Sequence, residues 1–146
     1  MTELGVMKAC NAAVITKDEM DTLSGLLATT DELNTKLLFG RVPDISTANS
    51  AALAVSPVAG TLSKIYTTIE GAIITADAVL TASVDGGTDV TQTVTIATAS
   101  SAEGDVDSCT PADNNTVAVG SVIKLASNGA SGNVVGAPCV FVITLT

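Results

Sequence analysis

Ala78-Val79-Leu80-Thr81-Ala82-Ser83-Val84, Asp85-Gly86-Gly87-Thr88-Asp89 and Val90-Thr91-Gln92-Thr93-Val94-Thr95-Ile96-Ala97 follow one another, and together they decide the fold class. Ala78, Leu80, Ala82 and Val84 fall on every second position, with Val79, Thr81 and Ser83 opposite. The second run sets Val94 and Ile96 against Thr91, Thr93 and Thr95. Successive side chains of a strand point to opposite faces, so period 2 with threonine on the wet side predicts a half-buried strand. The glycines between the two runs tolerate positive φ, and the unit reads as a β-hairpin.

The same period extends outward in both directions. Ser63–Glu70 places Ile65, Thr67 and Ile69 on one face, with Lys64, Tyr66, Thr68 and Glu70 on the other. Val117–Leu125 predicts another strand, ended by Asn128-Gly129, and a last strand puts Cys139, Phe141, Ile143 and Leu145 on one face. Weaker strand signals lie at Ala51–Val55, Ala72–Ile74 and Asn133–Val135. Ala99–Thr116, with Gly104, Pro111 and Asn114-Asn115, reads as a long polar surface loop. Many short strands separated by turns predict a mainly β chain, with an antiparallel β-sandwich or jelly-roll-like domain over residues 50–146.

Upstream the period changes. Thr16-Lys17-Asp18-Glu19 and Thr29-Thr30-Asp31-Glu32 both fit capping boxes, in which the threonine hydroxyl and the glutamate satisfy each other's free backbone N–H groups. Met20, Leu23, Leu26, Leu27, Leu33, Leu37 and Leu38 follow at near-helical spacing. Gly40 is placed as a C-cap and Pro43 as a stop, and Val42–Ser56 reads as a linker. The expectation is an N-terminal arm over residues 1–49 with one or two helices, the second ending at Phe39. Leu26, Leu27, Leu33, Leu37, Leu38 and Phe39 form a candidate docking face for a partner; packing on the chain's own β domain is the equal alternative. Tyr66 reads as an ordinary outer-face residue, with an interface anchor as the other reading.

Composition narrows the function. Of 146 residues 47% are hydrophobic but only 2% aromatic, so the core must be built from Val, Ile, Leu and Ala. Small side chains bury little area each, and a lean core of this kind favours oligomerisation. The net charge of −9 and a pI near 4.1 argue against nucleic-acid and anionic-membrane partners, both of which require clustered Lys and Arg. No apolar run reaches the ~18 residues of a membrane span. Glu3, Lys8 and the absence of a continuous apolar stretch do not read as a secretory leader.

The side chains of common catalytic sites are scarce. The chain has no histidine, which removes Ser-His-Asp and Cys-His activation and the commonest metal ligand. Cys10, Cys109 and Cys139 are too scattered for a zinc ribbon and read as reduced thiols, with a Cys109–Cys139 bridge as the runner-up. Neither a phosphate-binding P-loop nor a dinucleotide fingerprint is present. Asp85 with Asp89, and Glu103, Asp105 and Asp107 with Asp113, could ligate calcium or form a hydrolase pair, but read first as solvated acidic loops. No catalytic, cofactor-binding or metal-binding residues are assigned, and no enzyme is expected.

Three segments carry a resemblance: Gly60-Thr61-Leu62-Ser63-Lys64-Ile65-Tyr66, Ala76-Asp77-Ala78-Val79-Leu80-Thr81 and Val117-Ala118-Val119-Gly120-Ser121-Val122-Ile123-Lys124. In this order, from Gly60 to its end, the chain resembles the β module of tailed-bacteriophage capsid decoration (cement) and head-fibre proteins. That family often has Asp after the glycine, where this chain has Ser121. The resemblance implies a structural virion protein on the outer capsid surface, made in the host cytoplasm. It implies the major capsid protein and copies of itself, as a homotrimer, as partners. A tail-fibre or adhesin-type module that binds a receptor or glycan is the alternative.

Overall fold

The computed structural model describes residues 34–146. Nine strands form two sheets: β1 Thr35–Val42, β2 Ala51–Val55, β3 Gly60–Thr68, β4 Ala78–Val84, β5 Thr93–Ile96, β6 Val106–Cys109, β7 Thr116–Val117, β8 Val122–Ser127 and β9 Ala137–Leu145. The five-stranded sheet runs β1-β9-β3-β6 with β7 also on β3, and the four-stranded sheet runs β2-β8-β4-β5. Every pairing is antiparallel. The chain passes repeatedly between the sheets, so neighbours in space are distant in sequence, and the expected antiparallel sandwich is present.

The alternation does what it predicts. Ala78, Leu80, Ala82, Val94 and Ile96 are buried between the sheets with Leu62, Ile65, Ile123, Leu125, Phe141 and Ile143. The β4–β5 reversal is as tight as its sequence suggests: Asp85 and Gly86 have φ of 53° and 68°, and Gly87 N donates to Val84 O at 3.0 Å. A bulge at Ser63 lets both Leu62 and Ile65 face the core, although they are three apart.

Several expectations are corrected. Residues 35–39, expected to finish a helix, lie in β1, and no α-helix occurs among the described residues. The Leu37-Leu38 doublet fits either period, and eight registered pairs with β9 decide for the strand. Gly40 is consequently no cap. It lies mid-strand, where an added Cβ would stand 3.1 Å from Ala52 Cβ and 3.2 Å from Cys139 Sγ. β1 accordingly lies in one compact unit with the later strands, Thr35–Thr146. The capping boxes and residues 16–33 of the expected arm lie outside the described residues.

The second correction concerns Ala99–Thr116, which carries β6 and the start of β7 on β3. Third, Val117–Leu125 is not one strand. It breaks at Gly120, φ 87°, so that β7 stays on the five-stranded sheet while β8 crosses to the other. Neither Ala72–Ile74 nor Asn133–Val135 forms a strand.

Candidate partner-binding face

The chain has two Phe, one Tyr and no Trp. Phe141 is fully buried in the core. Phe39 and Tyr66 both point outward from the five-stranded sheet, 71% and 42% exposed. They belong to one cross-strand row: Phe39 on β1 pairs with Val140 on β9, which pairs with Tyr66 on β3, which pairs with Ser108 on β6. A parallel row runs Leu37–Val142–Lys64, with Leu37 55% exposed. Val106, also exposed, faces outward opposite Thr68. The result is a contiguous apolar patch with two aromatic walls.

Between those walls is an open hollow of about 380 Å³ over Pro138 and Val140, lined mainly by carbon. Arg41 closes one end. Its Nε and Nη2 donate to the two carboxylate oxygens of Glu70 at 2.9 and 2.5 Å. This fork holds the guanidinium pKa above its ordinary value and the Glu70 carboxyl below its own. Both partners pass over Gly136, where a Cβ would collide with the guanidinium and the carboxylate. Outside the hollow, in the neighbouring row, Lys64 Nζ lies 5.7 Å from the Tyr66 ring centre and donates to Thr110 Oγ1 at 3.1 Å.

Of the residues expected to meet a partner, Leu37 and Phe39 lie on this face. Leu38 is on the opposite side of β1, against the core. Leu26, Leu27 and Leu33 lie outside the described residues. Tyr66, Val140, Pro138 and the Arg41–Glu70 fork were not singled out as partners of Phe39. The signal that could have found them is the scarcity of aromatics, which makes any outward-pointing one conspicuous.

The acidic loops have local uses. Asp85 accepts from Ser121 Oγ and Val122 N, each at 2.7 Å, which ties the hairpin to β8 and holds its pKa down. Asp105 accepts from Ala102 N at 2.6 Å, and the Asp107 carboxyl is pushed up by burial and by Asp105. Among the described residues no three His, Cys, Asp or Glu side chains gather to hold a metal ion. Cys109 and Cys139 are free thiols on strands that flank β3. Strands two apart are separated by ~9.6 Å, beyond the reach of a disulfide, so the runner-up bridge does not form.

No family model matches the chain, and no curated protein matches it. Solved structures similar to it include the carbohydrate-binding module CBM35 from Cellvibrio japonicus Abf62, at 14% identity and a TM-score of 0.48 over 69% of this chain and 70% of that one. The acid-stable capsid structure of Helicobacter pylori bacteriophage KHP30 is similar at 13% identity and a TM-score of 0.48, over 76% and 87%. The module CsCBM6-3 from Clostridium stercorarium, in complex with cellobiose, is similar at 10% identity and a TM-score of 0.44, over 77% and 82%.

Proposed function

We propose that this chain is a structural virion protein that binds the outer surface of a bacteriophage capsid and stabilises the shell. The observation that carries this reading is the placement of Phe39 and Tyr66 on either side of Val140 on an exposed apolar sheet face. Aromatics are enriched in the anchors of protein interfaces, and an apolar hollow takes a side chain better than a sugar. Arg41 and Glu70, the polar groups a sugar would need there, already satisfy each other. The resemblance over Gly60–Tyr66 and Val117–Lys124 supplies the virion setting. The work is binding: a protein that bridges shell subunits favours the assembled lattice by mass action, and many symmetric contacts add through effective concentration. The partners are the major capsid protein and further copies of this chain, as a homotrimer.

Quantitative mass spectrometry of purified particles, scaled to the major shell protein, tests the proposal. A substantial fraction of one copy per shell subunit is expected. A handful of copies per particle would instead assign the chain to a tail or fibre that reads a receptor or glycan. Absence from particles would end the virion reading.

A further inference from the structure

The described residues carry four Lys or Arg against nine Asp or Glu, a net charge of −5. Two copies of such a unit repel over most of their surfaces. The outer face of the five-stranded sheet is an exception. No outward-facing residue of β1, β9, β3 or β6 is acidic. Glu70, the carboxylate at its margin, is held by Arg41, and Lys64 adds a positive charge. The face also carries both halves of a fit. Phe39 and Leu37 project from its edge, and the hollow over Pro138 and Val140 lies beside them.

We infer that this face binds a second copy of the same chain, Phe39 of one copy lying against Tyr66 and Val140 of the next. A projection and a hollow on one surface are what a self-association needs, because each copy then offers what the other lacks. About a two-fold axis the Phe39–Val140–Tyr66 rows face each other in opposite directions and both contacts form. Repeated around a three-fold axis, the same contact closes a ring. Electrostatics agree with this choice, since copies of an acidic protein can approach closely where they bring no unpaired carboxylate. The inference rests on the self-association named in the proposed function, and a copy seated on this face occupies the surface that a capsid subunit would otherwise take.

Sedimentation of the full chain tests it. The expected mass is that of two or three chains. Phe39→Asp should weaken self-association by ~30-fold or more, the scale of an interface hot spot, with circular dichroism unchanged because Phe39 is exposed. Phe39→Cys combined with Tyr66→Cys, in a Cys10→Ser background, provides a second measurement. Oxidation should link chains to each other, because strands two apart leave these positions ~9.6 Å apart within one chain. A full chain that stays monomeric, or an oligomer untouched by Phe39→Asp, overturns the inference. A monomer found abundantly on particles would leave the capsid reading standing, and an oligomer missing from particles would do the reverse.

Discussion

Asp85 shows how much one side chain can organise. It takes a left-handed φ of 53° at the reversal and directs both carboxylate oxygens at β8, to Ser121 Oγ and Val122 N. Those bonds favour the charged form, so its folded pKa lies below the ordinary 3.8. The sign follows by linkage: the stabilisation is complete above 3.8 and is lost as pH falls through the lower folded value. Asp85→Asn keeps the shape and removes the charge. Its melting temperature should therefore fall less between pH 5 and pH 2 than the parent's, a difference that thermal melts across ~3 pH units would read. Gly136 has a different job, leaving room for the Arg41–Glu70 fork. Gly136→Ala should displace that fork, and an NMR titration should then show the Glu70 carboxyl returning towards its usual range.

At the scale of the element, β1 is the instructive case. Its local sequence supports two periods, and nothing within Thr35–Val42 chooses between them. The choice comes from β9, about a hundred residues downstream, which supplies a partner for each of its positions. Gly40 tests the assignment. In a strand packed on Ala52, Cys139 and Phe141, Gly40→Val overfills the core side and should destabilise by about 1–3 kcal/mol in urea unfolding. The hairpin at Ala78–Ala97 was legible because both its strands and its turn are local. β6 was not, because Val106-Asp107-Ser108-Cys109 is short and polar and acquires its strand character from β3. The candidate face was legible in halves. Leu37 and Phe39 stood out as apolar, but their juxtaposition with Tyr66 exists only once β9 lies between β1 and β3.

The buried thiols give a test at the scale of the whole molecule. Both lie inside the sandwich, and burial pushes the Cys139 thiol up to about 11 and raises that of Cys109. Both should resist a thiol reagent at neutral pH and label only in denaturant, as intact-mass spectrometry would record. The aromatics provide the sharper test. The chain has only two phenylalanines, and the fold separates them completely, with Phe141 wholly buried and Phe39 the most exposed of its aromatics. The same substitution should therefore give opposite results. Phe141→Ala opens a hole in a core otherwise made of Ile, Val, Leu, Ala and Cys, and should cost about 3–5 kcal/mol. Against the ~5–15 kcal/mol that holds a typical domain folded, that is enough to unfold a lean one. Phe39→Ala, measured on dilute protein where copies are apart, should stay within ~0.5 kcal/mol of the parent. Urea unfolding of the two variants side by side decides the matter. Equal losses would mean that Phe39 is a core residue and that the outer sheet face is no free surface; a large loss for Phe141 alone leaves Phe39 available for a partner.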